Sequence, residues 1–346
     1  MNLLFRCDAS KDIGSGHAMR CLALAQEAAA QGARVEFAMR DSSPGILARI
    51  RQEGFDVRRI HVEIGREADA WETVKMARAE NVDWIVIDGY RFDSGYQRCL
   101  VDASDSRVLA FDDYGQSDFY SAHLVLNQNL GADEGLYALR APHTRLLLGA
   151  SYALLRREFQ RWRDWQRDFA SVGNRVLISF GGSDPQNVTL DVLRALEAPE
   201  AGALELDVVA GTANTHLDAL EKACRNSRHK AALNVNASDM DERMARASAA
   251  ITAGGSTCWE LCFMQLPALV FVLAQNQDVA GGKLRNSGAA VVLGQPAPDA
   301  MLRLPRALRE LLNDARKRSN MASAGRRLVD GLGAQRVMAE MGKAIA

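Results

Sequence analysis

Three times in this chain a short apolar run ends in a glycine-rich turn, and a helical pattern follows. Leu3-Leu4-Phe5 leads to Gly14-Ser15-Gly16-His17 and an Ala- and Leu-rich stretch over residues 18–25. Val176-Leu177-Ile178-Ser179-Phe180 leads to Gly181-Gly182-Ser183-Asp184-Pro185 and a helical pattern from about Asn187. Ala249-Ala250-Ile251-Thr252 leads to Ala253-Gly254-Gly255-Ser256-Thr257, then Trp259-Glu260-Leu261. One such turn constrains little. Three of them restrict the chain to open parallel α/β sheets, whose ligands sit beyond the carboxyl ends of the strands. A glycine-lined turn into a helix brings backbone N–H groups and the positive helix end toward an anion. The first turn adds an imidazole, the side chain best suited to moving protons near neutral pH.

Alternation runs through the rest of the chain. Strand patterns at Val35-Glu36-Phe37-Ala38, near Val57, and at Trp84-Ile85-Val86-Ile87-Asp88 are separated by helical patterns over 44–53 and 68–80. Val108-Leu109-Ala110-Phe111 and Leu124-Val125-Leu126 add two short strands. Strands separated by helices imply right-handed crossovers and a sheet covered on both faces. The reading is two Rossmann-like domains facing each other across a cleft. The first spans 1–150, a connector helix 151–173, the second domain 174–300, and further helices 301–346.

In the connector, Leu155, Phe159, Trp162, Gln166 and Phe169 fall near one helical face, with Arg156, Arg157, Arg161, Arg163 and Arg167 around the rest. Such a helix lies on an anionic membrane or joins domains with its arginine stems packed over aromatics. Glu158, Asp164 and Asp168 dilute the charge and favour the connector.

A length of 346 residues fits two domains, and a net charge of −1 gives no argument for nucleic acid. The six cysteines, at 7, 21, 99, 224, 258 and 262, contain no Cys-x-x-Cys pair and read as reduced thiols of a cytoplasmic protein. Cys258 and Cys262 are one helical turn apart, but nothing nearby completes a zinc site. The longest apolar run, residues 266–274, is far shorter than the roughly 20 residues of a spanning helix. No targeting segment is visible, so stable membrane insertion is not expected.

No turn has the full Gly-x-Gly-x-x-Gly spacing, although Glu36 lies about 20 residues past Gly16, where a dinucleotide site would place an acid. No P-loop is present, because no Gly-Lys-Ser/Thr follows a glycine turn.

A longer series of motifs carries a resemblance. Phe5-Arg6-Cys7-Asp8-Ala9-Ser10, Ile13-Gly14-Ser15-Gly16-His17 and Arg20 open it. Ile87-Asp88-Gly89-Tyr90, Phe111-Asp112-Asp113 and the run from Gly149 to Phe159 continue it. Gly181-Gly182-Ser183-Asp184, Ala253-Gly254-Gly255-Ser256-Thr257 with Glu260, and Asn276-Gln277 complete it. In this order they resemble the UDP-sugar hydrolases of pseudaminic acid biosynthesis, the PseG family, and the related spore-coat polysaccharide SpsG proteins. The resemblance covers about residues 3–290 and gives no function for the last 50 or so.

The resemblance implies a GT-B architecture and hydrolysis of UDP-2,4-diacetamido-2,4,6-trideoxy-beta-L-altropyranose to UDP and free sugar. Water attacks the anomeric carbon with inversion, and neither cofactor nor metal is needed. Implied partners are the UDP-sugar and other enzymes of the pathway, which serves flagellin glycosylation. A glycosyltransferase using a UDP-sugar donor, or a hydrolase of a different UDP-diacetamido sugar, is the alternative. His17 would be the general base, with Gly14, Gly16, Arg20, Asp8, Tyr90, Asn276 and Gln277 around the sugar. Gly181, Gly182, Ser183, Gly254, Gly255, Ser256, Thr257 and Glu260 would hold UDP. The residue chemistry suits these roles. An imidazole accepts a proton, glutamate accepts ribose hydroxyls, and an asparagine amide matches an acetamido group. Asp88, Asp112 and Asp113 are expected beside Asp8, Arg20 and Tyr90 as walls of the sugar pocket. The other five histidines, at 61, 123, 143, 216 and 229, are expected on the surface or in ordinary packing.

Overall fold

The computed structural model describes residues 1–10, 14–169, 172–274 and 277–345. The chain divides into two compact units, one of Met1–Arg157 with Gly331–Ala346, the other of Glu158–Asp330.

Among the described residues the first unit holds a seven-stranded sheet. Its strands are β1 (Asn2–Cys7), β2 (Arg34–Met39), β3 (Asp56–Arg59), β4 (Trp84–Asp88), β5 (Arg107–Phe111), β6 (Leu124–Asn127) and β7 (Arg145–Leu148). All pair parallel, in the order β3-β2-β1-β4-β5-β6-β7. Helices α1 (Gly16–Ala30), α2 (Pro44–Gln52), α3 (Glu67–Ala79) and α4 (Ser94–Ala103) make the crossovers. Alternate residues of β1 enter different cores. Leu3 and Phe5 pack with Leu24, Phe37 and Trp84, while Leu4 packs with Val74, Ile85 and Val125. A strand buried on both faces has no polar side to show, so it reads as a continuous apolar run.

The second unit repeats the plan with β8 (Arg175–Ser179), β9 (Glu205–Ala210), β10 (Lys230–Val235), β11 (Ala249–Ala253), β12 (Ala268–Phe271) and β13 (Val291–Gly294). The order is β10-β9-β8-β11-β12-β13, again all parallel. Its helices are α5 (Val188–Leu196), α6 (Leu217–Asn226), α7 (Met240–Arg246), α8 (Thr257–Phe263), α9 (Asp278–Ser287), α10 (Pro298–Asn313) and α11 (Ala315–Leu328).

The helices after residue 300 do not form one appendage. Helices α10 and α11 belong to the second unit, whereas α12 (Gly333–Ile345) returns to the first. Ala334, Val337, Met338 and Met341 of α12 join the core that holds Leu24 and Ala28 of α1. Gly333 starts this helix against the Ala153 carbonyl, which an added Cβ would meet at 2.1 Å.

The expected connector helix over 151–173 is replaced, among its described residues, by 3₁₀ turns at Ala150–Tyr152 and Arg157–Trp162 and by irregular chain. Its basic side chains explain the difference, because they answer partners that a regular helix would not reach. Arg161 Nε and Trp162 Nε1 both donate to Asp241 Oδ2 at 2.7 Å. Arg167, stacked on Trp165, donates to the carbonyls of Met244, Ala247 and Met264 at the ends of α7 and α8. Those carbonyls lack intrahelical partners and carry the negative helix end, so a cation belongs there. Burial lowers the Arg167 guanidinium to about 10. Among the described residues no helix is long and apolar enough to cross a membrane.

Candidate active site

In the first unit β1 and β4 lie side by side although β2, β3 and their helices separate them in sequence. At this point the strand order reverses, and Cys7 pairs with Asp88 in register. The chain leaving β1 therefore enters α1 beside the end of β4. Gly14, at φ +79°, takes a backbone conformation that strains any side chain. His17 and Arg20, three apart on α1, present the same face to Asp88.

The contacts are short and closely knit. His17 Nδ1 lies 2.5 Å from Asp88 Oδ1. Arg20 grips the same carboxylate twice, Nε to Oδ2 at 2.6 Å and Nη2 to Oδ1 at 2.7 Å. Its other edge donates to Asp113, Nη1 to Oδ1 at 2.7 Å and Nη2 to Oδ2 at 3.2 Å. Burial alone would raise Asp88, but the charges and hydrogen bonds of Arg20 and His17 outweigh it and hold the carboxyl well below the usual range. An ionised carboxylate only accepts, so in the neutral ring the short contact assigns the proton to Nδ1 and leaves Nε2 bare. Arg20 Nη2 also stands 3.2 Å from Nδ1, but the closer acceptor decides the tautomer. The result is an imidazole oriented by a carboxylate.

Tyr90 stands edge-on to the imidazole, with ring centres 4.7 Å apart, and donates its hydroxyl to Asp113 at 3.0 Å. Half its surface is exposed, and Tyr114 packs 5.7 Å beyond it. Tyr90 is thus the ring next to His17, with Tyr114 packed on it.

The structure gives Asp8 and Asp112 other work. Asp8, expected at the sugar, is buried. Its Oδ1 accepts the Arg40 and Asp41 N–H groups at 2.7 and 2.9 Å, and its Oδ2 accepts Arg6 Nη1 at 2.5 Å. Its Oδ1 thus serves the turn after β2 and its Oδ2 serves Arg6 of β1, so these bonds tie it to β1 and β2 and not to the His17 cluster. Asp112 accepts the N–H groups of Tyr114, Gly115 and Gln116 and the hydroxyls of Tyr120 and Tyr137. It shapes the loop that presents Asp113. Asp88 is 1% exposed and so is the partner of His17, not a wall of the pocket. Glu36 is occupied by Arg34 and Arg58, at 2.8 and 3.0 Å, so it offers nothing to a dinucleotide ribose.

Of the remaining histidines, His229 bridges two backbone groups, accepting from Leu204 N and donating to Leu196 O. His123 accepts Val108 N and packs on His143, and burial first, then His143 and Arg107, lowers it to about 4.

In the second unit the strand order reverses between β8 and β11, with Ser179 opposite Thr252. The turns Gly181-Gly182-Ser183 and Gly254-Gly255-Ser256-Thr257 thus leave neighbouring strands. Gly181 has φ +86°, and the Gly182 carbonyl packs so closely on Gly211 that an added Cβ there would meet it at 2.4 Å. Asp184 caps α5 through Val188 N at 2.9 Å and Thr189 Oγ1 at 2.6 Å. Gln277 comes to Gly254, where a Cβ would stand 3.3 Å from the glutamine's own. Its Oε1 accepts Leu273 N at 3.0 Å, which leaves the amide Nε2 as the group it offers outward. Asn276 lies outside the described residues. Glu260 sits in the first turn of α8, partly buried. Burial pushes the Cys258 and Cys262 thiols up, and Cys258 donates to the Ala253 carbonyl at 3.3 Å. These are packing thiols.

Residues 176–336 match the family described as glycosyltransferase family 28 C-terminal domain. The chain is 25% identical to an uncharacterised protein of Methanocaldococcus jannaschii, MJ1062, over 80% of its own length, and spans only 56% of that relative. It is 25% identical to the spore coat polysaccharide biosynthesis protein SpsG of Bacillus subtilis, over 76% of this chain and 77% of that one. It is 26% identical to the UDP-2,4-diacetamido-2,4,6-trideoxy-beta-L-altropyranose hydrolase of Campylobacter jejuni, over 64% of this chain and 74% of that one. In structure it is similar to MurG of Acinetobacter baumannii, with a TM-score of 0.66 at 16% identity over 99% of this chain and 100% of that one. The two parallel sheets and this likeness make the fold GT-B, built of two Rossmann-like domains.

Proposed function

We propose that this chain hydrolyses a UDP-linked diacetamido sugar, UDP-2,4-diacetamido-2,4,6-trideoxy-beta-L-altropyranose, to UDP and the free sugar. The observation that carries the reading is the His17–Asp88 pair, 2.5 Å apart beside a half-exposed tyrosine. A transferase and a hydrolase both need a base there. The likeness to the Campylobacter hydrolase, which extends through both domains, favours water as the nucleophile.

In this reading His17 Nε2 takes a proton from water as its oxygen bonds to the anomeric carbon from the face opposite UDP. The carbon–oxygen bond to the diphosphate breaks, its electron pair stays on the phosphate oxygen, and the configuration inverts. Asp88 stabilises the imidazolium, and Arg20 keeps Asp88 ionised. General-base help of this kind typically gives about 10²–10⁴-fold. UDP is assigned to the second unit. Backbone N–H groups of the turns at Gly181-Gly182-Ser183 and Gly254-Gly255-Ser256-Thr257 take the diphosphate charge, and Glu260 takes the ribose. Gln277 Nε2, with Asn276, is assigned to an acetamido carbonyl. Tyr90 is the wall of the sugar site. Arg20, with both edges engaged by aspartates, acts through Asp88, and Asp8 drops out of the binding set.

A sugar transfer to an acceptor hydroxyl is the second reading, favoured by the family 28 match. A panel of UDP-diacetamido sugars, incubated with enzyme in EDTA and followed by NMR, separates the two. Acceptor-free release of UDP and one reducing sugar is expected. Release that begins only when an acceptor is added would support the transferase.

Glu260→Ala should weaken UDP binding by about 1–3 kcal/mol, as expected for removing one partner of a charged hydrogen bond. Calorimetry with UDP alone measures it, and an unchanged affinity would remove Glu260 from the nucleotide site.

A further inference from the structure

Asp113 touches both neighbours that fix the His17 ring. It receives Arg20 on both oxygens and the Tyr90 hydroxyl on Oδ2. It is held in turn by Asn129, whose Nδ2 donates to its Oδ1 at 3.0 Å and to its backbone carbonyl at 3.2 Å. Asn129 N is fixed by Asn127 Oδ1 at 2.9 Å, and Asn127 Nδ2 donates to Tyr137, which donates to Asp112. The loop beyond β5 and the chain beyond β6 are thereby tied together through two adjacent carboxylates, Asp112 and Asp113.

The charge count has a consequence. The groups facing His17 are Arg20 on α1, Asp88 at the end of β4, Tyr90 after it, and Asp113 after β5, while the Cys21 thiol lies on the far oxygen of Asp88. While His17 is neutral, two carboxylates face one guanidinium, so the cluster carries an excess negative charge. The positive end of α1 opposes a charged imidazole at its first turn. One aspartate matched by one arginine would leave that opposition unanswered.

We infer that Asp113 is a positioning residue for His17, holding Arg20 against Asp88 and Tyr90 against the imidazole while its charge favours the imidazolium that forms as water loses its proton. The inference rests on His17 as the base of the proposed reaction. The titration that tests it does not depend on that reaction.

The imidazole of His17 in ¹⁵N-labelled full-length protein is titrated by NMR in wild type, Asp113→Asn and Asp113→Glu. Loss of the charge in Asp113→Asn should move the His17 midpoint down by about half a unit or more. Asp113→Glu keeps the charge and should hold the midpoint within about 0.2 units. In turnover of the UDP-sugar, the acidic limb of kcat/KM should follow the midpoint, with kcat about tenfold lower and KM within about threefold. A residue that served only the fold would lower activity equally at every pH and leave the midpoint in place. Where Asp113→Asn fails to fold, Asn129→Ala loosens the same carboxylate without changing charge, and should lower kcat about threefold or more. An unmoved midpoint in folded Asp113→Asn, or full kcat in Asn129→Ala, overturns the inference. A moved midpoint in a protein that turns over no UDP-sugar supports the role of Asp113 and overturns the hydrolase reading instead.

Discussion

Turnover of the UDP-sugar by the His17→Ala protein is expected to fall by about 10²-fold or more, with UDP affinity within about twofold of wild type. The substitution removes the only bare ring nitrogen that the Asp88 contact creates. Asp88 keeps both bonds from Arg20, so no buried charge is stranded, and the main loss in packing is the edge contact with Tyr90. The fold should survive for that reason. UDP is assigned to the second unit, so its binding should not register a change on α1. Retention of more than about a tenth of wild-type kcat would end the assignment of His17 as the base. A loss of UDP affinity would place the nucleotide against the wrong domain.

The second large effect is on stability. Arg6 lies next to the last residue of β1, fully buried, and donates to Asp69 twice at 2.9 Å and to Asp8 at 2.5 Å. Asp69, also fully buried, accepts the Tyr96 hydroxyl at 3.2 Å and Gly65 N at 2.9 Å. Phe92 lies against the guanidinium face, 5.1 Å away. Asp69→Ala would leave Arg6 Nε and Nη2 unpaired inside an apolar sheet. Removing one partner of a buried pair typically costs about 3–5 kcal/mol, because the charge left behind has lost its water and its counter-ion. Arg6→Met with Asp69→Leu removes the stranded guanidinium but leaves Asp8 with only the Arg40 and Asp41 N–H groups, so it should recover part of the loss. Native-state hydrogen exchange at the β1 amides reads the opening free energy of this unit separately from the other. A loss below about 1 kcal/mol for Asp69→Ala would show that Asp8 and water compensate Arg6.

The parts of this protein that are local in sequence were legible in it. The strand Trp84–Asp88 has the bounds its apolar run suggests, and the three glycine turns leave strands as their spacing implies. What was not legible depends on which strands neighbour each other. Asp88 is 71 residues from His17, and Asp113 is 93 from Arg20. Only the crossover that sets β4 beside β1 turns a strand-end aspartate into the partner of a histidine. The partners of Asp8 were not legible because two of its donors, the Arg40 and Asp41 N–H groups, arrive from the end of another strand. A signal was present in Arg6, since an arginine within a buried strand must have buried acids near it. The connector misled for a related reason. Its arginines keep a helical spacing, yet Arg161 serves a carboxylate and Arg167 serves carbonyls of the packed chain far away in sequence.

The central claim is that water, activated at His17, breaks the bond between the anomeric carbon and the diphosphate. Single-turnover hydrolysis of the UDP-diacetamido sugar in H₂¹⁸O, without any acceptor, tests it most directly, with both products weighed by mass spectrometry before the free sugar exchanges its anomeric oxygen. The account predicts ¹⁸O in the sugar and none in UDP, and loss of both products with His17→Ala. Label appearing in UDP would mean attack at phosphorus, and would contradict the account.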